Sequence, residues 1–133
     1  MNTRSMILRE EEDGRYFGIY CHYCGYLSHN GQILLKYYNT RKKLEKLLEL
    51  GDLLYLAPKI RPRPGAPHDS DDPQEGVCVF YGRDRGEAAI HAEYVTLEDL
   101  DNDPWIVYTY VFTRDNKWKF FRHKELKYGL QEV

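Results

Sequence analysis

Long apolar runs are missing from this chain: no stretch approaches the roughly 20 residues that a membrane-spanning helix needs. The start, Met1-Asn2-Thr3-Arg4-Ser5, is polar and has no apolar core of the signal-peptide kind. Cysteine is scarce, with only Cys21, Cys24 and Cys78, an odd number that argues against a disulfide framework. Together these absences lead us to expect a cytoplasmic protein with no membrane contact. An excess of one charge is also lacking, since 19 basic residues stand against 21 acidic ones for a net charge of −2. A general nucleic-acid coat would carry a basic excess, so that class is excluded. No internal repeat or heptad array appears.

What is abundant is aromatic surface. Twelve tyrosines, five phenylalanines and two tryptophans make up 14% of 133 residues. Such side chains supply core area, and tyrosine adds stacking faces and hydroxyls where it reaches a binding surface. The length suits a single domain spanning 1–133 with a core of its own.

Ser5 to Arg9 and Tyr16 to Tyr20 read as strands joined over Asp13-Gly14, a hairpin signal. Gly31 to Tyr38 reads as a short apolar helix with Asn30 as its N-cap. A second helix, Arg41 to Leu50, is capped by Asn39 or Thr40 and stopped by Gly51. Its basic start (Arg41, Lys42, Lys43) opposes the helix dipole, so those charges want a partner elsewhere. Residues 58–76 hold five of the six prolines and several aspartates, which makes them one long irregular loop. Val77 to Tyr81 with Ala88 to Val95 suggests a second hairpin, and Trp105 to Thr113 with Lys117 to Arg122 a third. A single helical turn capped by Thr96 stands between them. The expected fold class is α+β: an antiparallel sheet built from three hairpins with two helices on one face.

The segment Tyr81-Gly82-Arg83-Asp84-Arg85-Gly86-Glu87 has the sharpest chemistry. A turn needs glycine for its backbone angles but has no need of two arginines. Guanidiniums at Arg83 and Arg85 offer planar forks suited to phosphate or carboxylate, with a charged surface hairpin as the plain alternative. Around Tyr20-Cys21-His22-Tyr23-Cys24-Gly25-Tyr26, His22 is a candidate hydrogen-bonding group, and Tyr23 and Tyr26 are candidate stacking rings. Cys21 and Cys24 have zinc-ligand spacing, but only His29, Cys78 or His68 is on hand to complete four ligands. Small-residue packing therefore suits them better. A metal is not expected, nor any cofactor. His68-Asp69-Ser70-Asp71-Asp72 reads as a solvated acidic loop rather than a cation site, and no catalytic triad, phosphate loop or acid pair is present.

Several of these segments share a pattern: Thr-Arg-Ser near the start, Ile-Tyr-Cys-His-x-x-Gly-Tyr at 19–26 and Gly-x-x-Leu-Leu-x-Tyr-Tyr-Asn at 31–39. Leu-x-x-Leu-Leu-x-Leu-Gly-Asp-Leu at 44–53 and Tyr-Gly-Arg-Asp-Arg-Gly-Glu at 81–87 continue it. Over residues 3–87 the chain resembles a family of small phage-encoded proteins, mostly of uncharacterised role. Typical relatives carry Trp-Asp where this chain has Tyr23-Cys24, which removes an acid beside His22. The resemblance implies a phage protein acting against host defence, in the host cytoplasm. The leading expectation is a non-enzymatic sponge for a nucleotide second messenger, such as a cyclic nucleotide or a cyclic ADP-ribose derivative. Arg83, Arg85 and Arg4 would hold phosphate, His22 would bond sugar or phosphate, and Tyr23, Tyr26 or Tyr81 would stack on the base. The loop at 58–76 would serve as a lid, and a homo-oligomer is expected, because small domains form deep pockets readily at subunit interfaces. The alternative is an inhibitor that binds a host defence protein through the 105–122 hairpin, using Trp105, Val107, Thr109 and Val111, or Trp118. A metal-dependent nucleotide-degrading enzyme ranks third.

Overall fold

The computed structural model describes residues 2–88 and 91–133. An eight-stranded sheet organises the chain: β1 (Ser5–Glu10), β2 (Tyr16–Cys21), β3 (Leu53–Tyr55), β4 (Val79–Phe80), β5 (Glu93–Val95), β6 (Tyr108–Phe112), β7 (Trp118–Arg122) and β8 (Gln131–Glu132). The order across it is β4-β3-β2-β1-β6-β7-β8, with β5 pairing β2 off that path. Among the described residues three α-helices accompany the sheet, α1 (Gln32–Tyr37), α2 (Arg41–Glu49) and α3 (Leu97–Asn102). The α+β class is therefore as the sequence implies.

Two of the three expected hairpins form. β1 pairs antiparallel with β2, and β6 with β7. Their turns use Gly14 (φ +86°) and Asn116 (φ +63°), left-handed positions that suit glycine and asparagine. The second hairpin does not form. Its first strand, β4, pairs instead with β3, and β5 lies against the start of β2, with Tyr16 opposite Val95. Ala89 and Ile90, part of the expected second strand, lie outside the described residues. Two pairings, β1 with β6 and β2 with β3, are parallel, so the sheet is mixed rather than wholly antiparallel. Alternating residues establish that a segment is a strand, but not which distant strand it meets.

Both faces of the sheet are covered. Ile7, Ile19, Tyr110, Phe112 and Phe120 point toward α1 and α2, where Leu34, Leu44, Leu47 and Leu48 close the main core. Met6, Leu8, Val111 and Phe121 point the other way, toward Leu100 of α3 and Ile106. That second layer explains why β1 reads as an unbroken apolar run rather than an alternating one. It also overturns the protein-contact surface expected on the 105–122 hairpin. Thr109, Val111 and Trp118 are buried and Val107 is half-buried, leaving only Trp105 well exposed, at 65%.

The helix caps follow the sequence closely. Thr40 accepts the Lys43 N–H, Thr96 accepts the Asp99 N–H, and Gly51 ends α2 at φ +83°. Arg41 finds its partners in the carbonyls of Glu10 and Thr113, across the end of the sheet. Asn30 is not an N-cap. The chain enters α1 through a wide turn at Leu27–Gly31, and Asn30 is buried within it. Two positions leave no room for a side chain: a Cβ on Gly18 of β2 would lie 2.0 Å from the Ile7 carbonyl oxygen, and one on Gly25 would lie 2.5 Å from that of Thr3. Gly18→Ala is expected to push β1 and β2 apart and to cost about 3 kcal/mol in urea unfolding. A loss below about 1 kcal/mol would mean that the pair accommodates the methyl group.

Candidate functional site

The end of β2 sets the geometry. Pairing with β3 continues past the strand, because the N–H groups of His22 and Tyr23 donate to the carbonyls of Leu53 and Leu54 at 2.9 and 3.0 Å. Cys21 turns into the core, fully buried, so Tyr20 and His22 share the opposite face. The Tyr20 hydroxyl and His22 Nδ1 lie 2.7 Å apart, and the Tyr23 ring stands edge-on to the imidazole at 4.6 Å. Tyr81, whose N–H donates to the Asp52 carbonyl, brings its ring to 6.5 Å from Tyr20.

Two arginines reach this aromatic row from different parts of the chain. Arg85 lies over the Tyr81 ring at 5.7 Å, and its nearest carboxylate, Glu87, is 3.6 Å away with both side chains about half exposed. Arg4, just before β1, rests over Trp105 at 4.9 Å and has no carboxylate partner within ion-pair range among the described residues. Burial, followed by the charges of Arg4 and Arg85, holds His22 below the ordinary imidazole range. Burial raises the Tyr20 phenol, and Arg4 opposes it. The charges of two guanidiniums thus act on a histidine set between Tyr20 and Tyr23.

Two cavities flank the row. One of about 520 Å³ is lined by Tyr23, Tyr55, Asp71, Glu75 and Arg85, among others, and much of its wall comes from residues 70–77. The other, of about 550 Å³, is lined by Arg4, Tyr20, Asp52 and Trp105. Each lies within the size range of small-molecule sites.

Arg83 has a different place. Its Nε donates to Asp84 Oδ1 at 2.8 Å, its Nη1 to the Ile60 carbonyl at 2.7 Å and its Nη2 to the Cys78 carbonyl at 3.0 Å. Asp84 is buried, where it also accepts the Phe80 N–H at 2.8 Å and lies 3.4 Å from His68 Nε2. Arg83 and Arg85 therefore do not form a paired fork. One fastens the 58–76 loop to β4, and the other faces outward, because alternate residues of a tight turn point in opposite directions.

Tyr26 lies apart from the Tyr20–His22 row, in a second aromatic group with His29 and Tyr55; the His29–Tyr55 ring separation is 5.1 Å. The three thiols are free. Among the described residues no three His, Cys, Asp or Glu side chains gather closely enough to hold a metal ion. Asp69 instead accepts the N–H groups of Asp71 and Asp72, folding the acidic loop onto itself. Sequence reasoning missed Tyr20, Tyr55 and Trp105 as site residues. The period-2 match of Tyr20 with His22 was the one available signal. No helix among the described residues is long and apolar enough to cross a membrane. The chain matches no protein-family model, and neither a curated protein nor a solved structure aligns with it significantly.

Proposed function

We propose that this chain binds and sequesters a small phosphorylated nucleotide of the immune-signal kind, without cleaving it. The observation that carries the reading is that Arg85 and Tyr23 share the wall of a nucleotide-sized cavity, with the Tyr23 ring edge-on to His22. A phosphate meets the Arg85 guanidinium there, whose Glu87 neighbour is 3.6 Å away, while Arg4 lines the neighbouring cavity; a charge-assisted bond to a planar fork is among the strong ones. Tyr23, on the cavity wall, offers its ring to the base, and Tyr81 and Tyr20 border the phosphate end. Residues 70–77 form the outer wall and act as the lid. A cavity of this size lies within one chain, so the reading requires no second copy. The phage resemblance points to the host cytoplasm as the setting.

Isothermal titration of the full chain with 5′-AMP, cyclic di-AMP and cyclic ADP-ribose tests the reading, with recovery of intact nucleotide checking that nothing is cleaved. Heat from none of the three would remove it. A second prediction follows from His22. An anion on Arg85 offsets part of the charge that holds His22 down and so raises its pKa, and binding takes up a proton between the free and bound values. Affinity for cyclic di-AMP, whose phosphodiesters do not titrate here, is expected to rise as pH falls from about 7.5 to about 5.5. In His22→Gln the pH dependence should flatten.

A further inference from the structure

A hydrogen-bond relay outside the phosphate end has a direction that can be read from its buried root. Cys21, fully buried, donates its thiol proton to the Tyr23 carbonyl, 3.6 Å away, so its sulfur is an acceptor toward its other neighbour. That neighbour is the side-chain amide of Asn30, also fully buried and 3.4 Å away, which must present its NH2 there and to Ser5 Oγ at 3.2 Å. Asn30 Oδ1 therefore faces His29 Nδ1 at 2.9 Å and requires that nitrogen to carry the proton. In the neutral imidazole, His29 Nε2 is then left with a lone pair, and the Tyr55 hydroxyl at 3.0 Å donates to it. The one proton of Tyr55 is spent. Toward anything else, its oxygen can only accept.

Tyr55 lines the same cavity as Arg85. The charged lining there consists of one guanidinium, Arg85, and two carboxylates, Asp71 and Glu75. The Gln74 side-chain amide is consumed by the loop: its nitrogen bonds the carbonyls of Arg63, Ala66 and Pro67, and its oxygen takes the Arg63 N–H. The cavity thus offers positive charge at Arg85 and acceptors at Tyr55, Asp71 and Glu75. Resting on the nucleotide reading above, we infer that the bound nucleotide carries an exocyclic amino group on its base, as adenine does, and that Tyr55 Oη accepts from it. A base with a carbonyl at that position would set two acceptors against each other.

Titration with 5′-AMP and 5′-IMP, which share ribose and phosphate and differ in amine against carbonyl, tests this. The full chain is expected to bind AMP roughly tenfold more tightly. Tyr55→Phe should bring AMP to the level of IMP, whereas Arg85→Ala should weaken both and keep their ratio. Equal affinities in the unaltered chain, or a preference that survives Tyr55→Phe, overturns the inference and leaves the nucleotide reading standing. So does a tenfold loss with 2′-deoxy-AMP but none with IMP, which would assign the donor to the sugar. No heat with either mononucleotide overturns the inference; silence from the cyclic nucleotides as well overturns the reading beneath it. Nitrogen-15 shifts of His29 give a ligand-free check, expected to show Nδ1 protonated and Nε2 bare. The opposite tautomer overturns the relay.

Discussion

Arg85→Ala is expected to weaken nucleotide binding by about tenfold to a hundredfold while leaving the urea midpoint where it was. The size follows from charge-assisted hydrogen bonds to an anion, worth about 1.5–3 kcal/mol. The unchanged stability follows from exposure, since the side chain is about half in solvent and its one carboxylate contact is long, at 3.6 Å. Arg85→Lys should keep part of the affinity, because a point charge survives but the planar fork does not. Arg4→Ala should also weaken binding, together with a small stability loss from the Trp105 ring it covers. Titration at one fixed ionic strength measures both. An Arg85→Ala protein that binds as tightly as the original would show that the phosphate lies elsewhere.

Asp84→Ala is expected to be among the most destabilising single changes in the chain, at about 3 kcal/mol in urea unfolding. The carboxylate is buried, accepts the Phe80 N–H and is held by Arg83 through Nε and Nη2 at 2.8 and 3.0 Å. Its removal leaves a backbone donor without a partner and a half-buried guanidinium without a counter-charge. Arg83→Ala should cost a similar amount by the converse route, leaving the buried carboxylate without its guanidinium. Because the two share one network, the double variant should lose far less than the sum of the singles. Limited proteolysis should find the 58–76 segment cut faster in each. An Asp84→Ala protein within about 1 kcal/mol of the original would show that the segment is fastened by other contacts.

Much of the local structure was readable in advance because its causes are local. Thr40, Gly51, Thr96 and the Asp13-Gly14 turn each act within four residues, and each is found in the expected role. The sheet's order was not readable. β4 and β5 are two and three residues long, and their partners β3 and β2 are chosen by distant packing rather than by a turn between them. The candidate site was legible in the same uneven way. His22, Tyr23, Tyr81, Arg85 and Arg4 lie near one another, since the exits of β2 and β4 and the start of β1 are in register across β3 at one end of the sheet. Arg83 was misjudged because the sequence does not disclose that Asp84 points inward and draws its neighbour with it. Asn30 was misjudged for a related reason: its partners Ser5 and Cys21 lie 25 and 9 residues away.

The central pairing of β1 with β6 joins Ser5–Arg9 to Tyr108–Phe112 in parallel. A ribosome emitting this protein thus releases the first strand long before its neighbour exists, and the nascent chain waits with an apolar edge unpaired. The molecule as a whole is expected to fold after synthesis and slowly for its size, since the contact that closes the sheet spans about a hundred residues. During that interval the early hairpin is open to chaperones and to self-association, so overexpressed protein should recover best when synthesis is slowed.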